Sequence, residues 1–340
     1  MVANEPIFQL YRGGVPGANA AVKRDKLEKL VEKIAKDGFC AVGFHAFPRE
    51  GRAAWDGLAT IAASNGIDAG VCYGLDGETD GGKPFSGATK GRLMGEVGAK
   101  PSCAFVVCDA EGKHDDADEG RPGDVTDTGD VLDMGREYRK VAPGALTGTQ
   151  HWYALLSHAK IRTVPVGGNP RDVIKGFPQD AFAEFCNWFD FAQAYCNHAQ
   201  TKAQYGTRRY QVVWERMAKD RAKIEPVFKR AGLNWKPGVT IQAYGWDDMP
   251  WNCLDAIINE CAFLRPVFAW CDWEPSPVVY GCAKAFLFLR ARGFVQPGRS
   301  GVDTIRLYQT DWNKTAAEND KVIVDGKGGK STLETMGIFI

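Results

Sequence analysis

Short apolar runs alternate with helix-like periods along most of this chain. After an apolar run at 7–11, residues 24–37 repeat apolar side chains at steps of three and four and end at a glycine. The repeating residues are Leu27, Leu30, Val31 and Ile34. This spacing is typical of one helix face, and a following glycine is typical of a helix end. The run at 39–45 then predicts the next strand.

The same strand–helix unit recurs to about residue 292. Further strands are predicted at 68–75, 102–109, 145–150, 189–195, 239–245 and 266–272, and further helices at 52–65, 86–98, 130–139, 209–231, 254–261 and 278–292. Near-continuous apolar strands separated by helices are typical of a parallel sheet that is buried on both faces. Such a sheet is doubly wound or closed. Eight strands predict the closed form, an α/β fold of the (β/α)8 TIM barrel type.

The sequence divides into a predicted barrel, 1–296, and a C-terminal extension, 297–340. Within the barrel, residues 151–181 are rich in glycine and proline and predict a long insertion. The extension contains a strand-like piece at 304–308 and an apolar end at 337–340. An apolar terminus is unusual, because chain ends are normally frayed. We therefore expect this end to dock on the barrel or on a partner protein.

Composition and charge narrow the classes of function. The chain has 42 basic and 42 acidic residues and a net charge of +0, so nucleic acid is not an expected partner. No apolar run approaches the roughly 20 residues of a membrane span. The N-terminus lacks the pattern of a signal peptide, which predicts synthesis in a cytoplasm, with release by lysis or as part of a particle.

The ten cysteines include no CxxC pair, and several lie in apolar runs, which predicts buried thiols rather than disulfides or a zinc site. No glycine-rich phosphate loop is present, and no cofactor is expected. A set of His45 with nearby carboxylates is a weaker alternative for a metal hydrolase, but the sequence has no HxH motif. We therefore expect no metal.

Enzymes with this fold place their catalytic groups at the carboxyl ends of the strands. Two Asp-x-Glu pairs stand there, Asp109 with Glu111 and Asp272 with Glu274. Residues i and i+2 of a strand share a face, so both members of a pair can reach the barrel mouth. Crowded carboxylates push their pKa values apart, which provides the acid and base of glycoside hydrolysis. The alternative is that these residues cap the next helix or pair with an arginine.

Other polar and aromatic residues are predicted at the same strand ends. The candidate substrate-binding residues are His45, Tyr73, Gln150, Trp152, Gln193, Tyr195, Gln242, Tyr244, Trp246 and Asp247. Flat aromatic rings can stack on sugar faces, and amides can bind hydroxyl groups. This set favours a polysaccharide as the partner molecule. The alternative for the aromatic residues is that they cap the barrel core.

The segment 106–112, VVCDAEG, resembles the fourth-strand Asp-x-Glu motif of family 25 glycoside hydrolases and of related phage and bacterial lysin barrels. Residues 191–195, FAQAY, are similar to a late-strand aromatic stretch in that group. The resemblance implies cleavage of peptidoglycan, with Glu111 as the general acid and Asp109 as its charged partner. In the first strand such lysozymes carry an aspartate, whereas positions 8–12 read FQLYR.

Two hypotheses follow for function. The chain is either a glycosidase-like barrel that cleaves or binds a cell-wall polysaccharide such as peptidoglycan, or a catalytically inactive barrel. In the second case it would be a structural or binding component of a phage or injection-type particle. The C-terminal extension would then offer a surface for a protein partner.

Overall fold

A computed structural model gives the structure of the protein. It describes residues 6–10, 20–46, 48–74, 79–80, 83–109, 128–150, 161–166, 169–174, 191–195, 222, 237–242, 254–262, 267–271 and 277–338.

Eight parallel strands form a closed barrel. In chain order the strands of the described residues are β1 (Pro6–Leu10), β2 (Ala41–Ala46), β3 (Asp68–Gly74), β4 (Thr79–Asp80), β5 (Lys83–Pro84), β6 (Phe105–Asp109), β7 (Leu146–Gln150), β8 (Ile161–Val166), β9 (Asn169–Ile174), β10 (Phe191–Tyr195), β11 (Pro237–Gln242) and β12 (Val267–Cys271). The barrel order is β1-β12-β11-β10-β7-β6-β3-β2, and every neighbouring pair is parallel. The predicted (β/α)8 barrel is confirmed.

Two antiparallel hairpins, β4–β5 and β8–β9, stand apart from the barrel sheet. The second lies within the predicted insertion at 151–181.

The strand register fixes the stagger of the barrel. One row of paired residues runs from β6 to β11 through Phe105, Gly70, Gly43, Gln9, Trp270 and Gln242. In the other direction a second row runs from Cys108 through Thr149 and Ala192 to Pro237. Cys108 lies three residues after Phe105, and Pro237 lies five residues before Gln242. The two paths therefore meet with a shift of eight residues, which is the shear of a (β/α)8 barrel.

Among the described residues, helices occur at six of the seven predicted places, and two further helices lie in the C-terminal extension. They are α1 (Ala20–Lys36), α2 (Pro48–Ser64), α3 (Gly87–Gly98), α4 (Thr128–Val141), α5 (Leu254–Cys261), α6 (Pro277–Ala291), α7 (Gly301–Thr315) and α8 (Lys330–Thr335). The apolar face of α1 is buried, with Val31 and Ile34 at 0% exposure. The helix predicted at 209–231 lies outside the described residues, apart from residue 222. No helix in the described ranges is both long and apolar enough to cross a membrane.

Helices α3 and α4 pack closely through glycines. A Cβ at Gly91 would lie 2.1 Å from the carbonyl oxygen of Met134, and one at Gly95 would lie 2.6 Å from Val141. These contacts leave no room for a side chain, so the backbones of the two helices approach at these positions. Helix α3 begins at a Ser86 cap whose hydroxyl accepts a hydrogen bond from the Thr89 backbone N–H.

The strand-like piece predicted at 304–308 is wrong, because these residues lie within α7. Ser300 caps this helix by accepting from the Asp303 backbone N–H, and Asp303 lies in the first turn, where a carboxylate favours the helix dipole. These capping residues override the alternation of Ile305 and Leu307. A short 3-10 turn, Glu318–Asp320, follows α7.

The C-terminal segment packs on the barrel helices of its own chain. Asn259 of α5 accepts a hydrogen bond of 2.7 Å from the Gly301 backbone N–H, and Gly328 lies against the side chain of Leu254. The Tyr308 ring meets Phe288 and Phe294 edge to face, with ring centroids 5.8 and 5.5 Å away. Of the apolar end at 337–340, the described Ile338 is buried.

Candidate functional site at the carboxyl ends of the strands

Seven of the predicted site residues lie in described strands, six of them in the last two positions of a strand. They are His45 in β2, Tyr73 in β3, Asp109 in β6, Gln150 in β7, Gln193 and Tyr195 in β10, and Gln242 in β11. Gln193 is the central residue of its strand. The other predicted residues, Glu111, Trp152, Tyr244, Trp246, Asp247, Asp272 and Glu274, lie outside the described residues.

The register assigns most of these positions to one face of the barrel sheet. Asp109 pairs with Gln150, and paired residues of parallel strands share a face. Asp109 lies four residues after Phe105 in β6, so the two positions share a face, and the row of paired residues that contains Phe105 also contains Gln242. The same counting places His45, Gln193 and Tyr195 on this face. The structure therefore brings six predicted positions to one face.

That face is the lumen of the barrel. Residues of both faces have 0% exposure, Val42 and Val106 on the opposite face and Phe105 and Val107 on this one, so polarity and not burial separates the two faces. Residues between a sheet and its covering helices have no access to water, so polar residues there are costly. The polar positions therefore belong to the lumen, which opens at the carboxyl ends, where barrel enzymes hold their active sites.

Two positions change the predicted set. Tyr73 pairs with Cys108 in a row of the opposite parity, so the structure does not bring its position to the lumen face. Gln9 of β1 falls in the row of Gln242 and Phe105, on the lumen face. Gln9 is the fourth residue of the five-residue β1, so it stands near a strand end as the predicted residues do.

Below the strand ends, an aromatic ring lies close against a glycine of the neighbouring strand. Phe105 is fully buried, and a Cβ at Gly70 on the neighbouring strand would lie only 2.3 Å from the Phe105 ring. A large residue beside a glycine fills a barrel interior as alternating layers do. The Phe105 ring therefore packs closely against the backbone of Gly70 at this level of the barrel.

Asp109 and Gln150 are the carboxylate and amide positions that the register sets side by side. Neighbouring strands lie about 4.8 Å apart, so the two paired positions are adjacent in the sheet. An amide can donate to a carboxylate or to a sugar hydroxyl. This arrangement is able to hold an oriented carboxylate beside a polar ligand.

Cys103, which precedes β6 at the amino end of the barrel, has the character of a core residue and not of a reactive thiol. Burial raises the pKa of the Cys103 thiol to about 12, and this thiol donates to the Phe105 carbonyl oxygen at 3.4 Å. A thiol of so high a pKa is a poor nucleophile. Within the described ranges no group of three His, Cys, Asp or Glu side chains is arranged to hold a metal ion.

Comparison with known proteins shows the fold alone. No protein-family model and no curated protein matches the sequence. The GH5_18 structure from Streptomyces cattleya in complex with GlcNAc is 14% identical, with a TM-score of 0.51 over 88% of this chain and 82% of that chain. The endoglucanase Cel5A of Pseudomonas stutzeri is 12% identical, with a TM-score of 0.50 over 83% of this chain and 93% of that chain. The chain is thus similar in fold to these glycoside hydrolase barrels.

Proposed function

We propose that the protein is a glycoside hydrolase that cleaves a cell-wall polysaccharide such as peptidoglycan. The observation that carries the proposal is the shared face of Asp109, Gln150, Gln193, Tyr195 and Gln242 at the open end of the barrel. Carboxylate, amide and aromatic groups in one concave site are the groups that bind and hydrolyse sugars.

Glu111 is the general acid of the proposed reaction. It follows Asp109 by two residues, and it protonates the oxygen of the leaving sugar as the glycosidic bond breaks. Asp109 stabilises the positive charge that develops on the sugar ring. Asp272 or Glu274, after β12, supplies the second carboxylate, which attacks the sugar directly or activates water. A carboxyl separation of roughly 5 Å gives retention of configuration, and roughly 6.5–9.5 Å gives inversion.

The binding residues of the proposal come from the same strand ends and the loops after them. Gln150, Gln193 and Gln242 offer amide groups to sugar hydroxyls, and Tyr195 belongs to the same face. Trp152, Tyr244 and Trp246 supply further rings, with Asp247 and His45 as polar partners. Aromatic rings that stack on successive sugars favour a polymer over a single sugar.

The comparisons support this proposal only through the fold. One of the similar structures is an endoglucanase and the other is a GH5_18 protein with GlcNAc bound, and one barrel fold hosts many chemistries. The choice of peptidoglycan rests on the resemblance of VVCDAEG to the family 25 motif. The proposal must therefore be tested by substitution of the residues of the site.

The decisive experiment measures released reducing sugar and loss of turbidity on purified peptidoglycan, with cellulose and chitin in parallel. Wild-type protein is compared with Glu111→Gln, which keeps the size of the side chain and removes the acid. We expect the variant to lose about 10²–10⁴-fold in rate, the usual contribution of a general acid.

Glu334→Gln is the matched control, because Glu334 lies on α8 and its side chain is 44% exposed. It should cleave at the wild-type rate. If folded wild-type protein cleaves none of the three polymers, the glycosidase proposal is wrong. Binding of peptidoglycan without cleavage would then favour the inactive barrel as a component of a phage or injection-type particle.

A further inference from the structure

Two neighbouring apolar side chains in the loop between α7 and α8 are exposed to solvent. Ile323 is 81% exposed and Val324 is 45% exposed, and among the described residues Ile323 is the most exposed large apolar side chain. They lie between Lys321 and Asp325, in the sequence KVIVD. Single exposed apolar residues are common, so exposure by itself indicates no partner. The backbone of the same segment is the feature that does.

One edge of this segment is already paired with α7. The Asn313 side chain accepts a hydrogen bond of 2.9 Å from the Val322 backbone N–H and donates one of 2.8 Å to the Val322 carbonyl oxygen. An amide group that forms both bonds acts as the backbone of a neighbouring strand would. The Trp312 indole N–H also donates to the Asp320 carbonyl oxygen, at 3.0 Å. The segment therefore runs beside α7, with the N–H and C=O groups of Val322 directed toward that helix.

The other edge of the segment is open. Residues 321–324 belong to no helix or turn, and the backbone of Lys321 is extended, with φ −68° and ψ 142°. In extended backbone, successive residues direct their N–H and C=O groups to opposite sides. Because Val322 directs its pair toward α7, Ile323 directs its pair away from the helix. In the part of the chain that the structure describes, neither of these Ile323 groups has a hydrogen-bond partner.

An open strand edge can bind another strand, and this one is complementary to itself. In an antiparallel pair of two such segments, a twofold axis at Ile323 pairs this residue with Ile323 of the second copy. The two residues then exchange both N–H···O=C bonds, as a hydrogen-bonded pair of an antiparallel ladder does. The same axis places Lys321 of each copy opposite Asp325 of the other.

The charges at these two positions are able to pair between copies. Opposite charges that face each other directly stabilise an antiparallel pair of strands. Asp325 Oδ1 accepts from Gln309 and from the Lys327 backbone N–H, so Oδ2 is the atom that meets the lysine. Lys321 lies 2.6 Å from Glu318, whose side chain is 85% exposed. Exposed ion pairs of this kind contribute little, so Lys321 can exchange this partner for another.

We propose that the edge at Ile323 is the contact of a twofold dimer, in which residues 321–325 pair antiparallel with the same residues of a second copy. The pairing ends at two strands because Asn313 of α7 covers the far edge of each segment, so the contact closes as a dimer and does not extend into a fibre. It involves a few residues of each copy, whereas a stable interface has about 20–30 residues a side. Association is therefore weak and depends on protein concentration. The proposal does not depend on glycosidase activity.

Cysteine cross-linking tests the position of the twofold axis. A residue on the axis faces its own copy at a Cα–Cα distance of about 5.5 Å, which is within the range of a disulfide. Ile323→Cys should therefore form a disulfide-linked dimer under mild oxidation at least about tenfold faster than Leu307→Cys, which replaces a 42% exposed residue of α7. Non-reducing electrophoresis gives the measurement, and wild-type protein is the control for the native cysteines. Equal rates for the two variants would overturn the proposed pairing.

Sedimentation of concentrated protein tests the charge pairing. The weight-average mass of wild type should rise with concentration toward that of two chains. Lys321→Glu puts like charges opposite each other at both ends of the strand pair and should weaken association about tenfold. Lys314→Glu is the matched control, because Lys314 is exposed on α7 beside Asp311, and it should associate as wild type does.

Three results of these experiments would overturn the dimer. One is a wild-type mass that stays at one chain over the whole concentration range. The second is association that Lys321→Glu leaves unchanged. The third is a monomeric mass together with cross-linking of Ile323→Cys to a different protein, which would assign the open edge to that protein.

Discussion

Two polar clusters in the described structure connect different parts of the chain, one of them two distant helices and the other a loop and a nearby helix. The first, which we call the Asp37 cluster, consists of Asp37, Lys33, Lys284 and Tyr280 and joins the end of α1 to α6. The second, the Gln309 cluster, consists of Gln309, Asp325, Gly326, Lys327 and Thr332 and fixes the loop before α8. One is charged and spans most of the sequence, whereas the other is centred on a neutral amide and is local.

The Asp37 cluster is a charged contact with some access to water. Lys284 lies 2.6 Å and Lys33 2.8 Å from the Asp37 carboxylate oxygens, and the Tyr280 hydroxyl donates to the same carboxylate. The Asp37 side chain keeps 12% exposure. Burial acts to raise the pKa of Asp37, but hydrogen bonds from Lys284, Lys33 and Tyr280 outweigh it and lower that pKa.

The Gln309 cluster is buried. Gln309 is 1% exposed, its Nε2 lies 3.0–3.1 Å from three oxygen acceptors, and its Oε1 accepts from the Gly326 backbone N–H at 2.9 Å. A loop of irregular backbone needs such partners, because its own peptide groups form no ladder. The distant junction therefore depends on charge and on pH, whereas the local one depends on shape and hydrogen bonding.

Gln309→Leu should give the largest effect. Leucine fills a similar volume but leaves the buried Gly326 N–H without its partner and removes the three hydrogen bonds that the amide nitrogen makes, although the Lys327 carbonyl still accepts from the Thr332 hydroxyl. A buried group left alone costs about 1–3 kcal/mol, and each lost hydrogen bond adds to this, so we expect a loss of about 3 kcal/mol in the free energy of unfolding. Urea denaturation gives the measurement. Gln296→Leu, at an exposed turn, is the control and should change the free energy of unfolding by less than about 0.5 kcal/mol. Equal losses in the two variants would show that the hydrogen bonds of Gln309 do not stabilise the fold.

Asp37→Asn should give a smaller loss of about 2 kcal/mol at neutral pH, because the amide keeps the shape and removes the charge that two lysines face. The effect must depend on pH in a defined direction. A lowered pKa in the folded state means that the contribution is fully present above the unfolded pKa of roughly 4 and is lost as pH falls through the folded value.

The measurement is the difference in unfolding free energy between wild type and Asp37→Asn from pH 7 to pH 2. We expect it to shrink below about pH 4. Gln309→Leu is the internal control, and its deficit should hardly change over that range. A constant Asp37→Asn deficit would mean that charge does not stabilise the junction.

A pair of tyrosine variants gives the smallest and sharpest test. Tyr280→Phe removes a hydroxyl that donates to a carboxylate, and Tyr308→Phe removes one that lies 2.9 Å from the Thr335 hydroxyl. Bonds to charged groups are worth about 1.5–3 kcal/mol and neutral ones about 1 kcal/mol, so Tyr280→Phe should cost more. Both phenylalanines keep their ring contacts with Phe39 or Phe288. Equal losses in thermal melts would remove the distinction between the two clusters.

Most of the barrel is predictable from the sequence, and the reason is local. Apolar runs and periods of 3.6 residues mark strands and helices without knowledge of the rest of the chain, as in α1 and β2. The strand predicted at 304–308 is wrong, because the apolar alternation there competes with the helix cap at Ser300, which is an equally local signal. Local patterns decide an element only when no other local pattern contradicts them.

The site is less predictable, because faces and partners depend on register. The sequence gives no means of separating Tyr73 from Asp109, since both stand near a strand end. Only the pairing of β3 with β6 shows that their positions have opposite parity. The burial of Lys90 is not predictable either, because a lysine in an amphipathic helix is normally at the surface. The roles of Glu111, Asp272 and Glu274 stay predictions.

Closure of the barrel has a consequence for how the chain is made. β1 pairs with β2 on one side, but its other neighbour, β12, ends only at Cys271. At 5–20 residues per second, the ribosome completes β12 roughly 15–50 seconds after β1. During that time one edge of the first strand has no partner and can template the wrong pairing. During this interval, binding of a chaperone to the open edge, or a low rate of collision with other chains, increases the fraction of the protein that reaches the closed barrel.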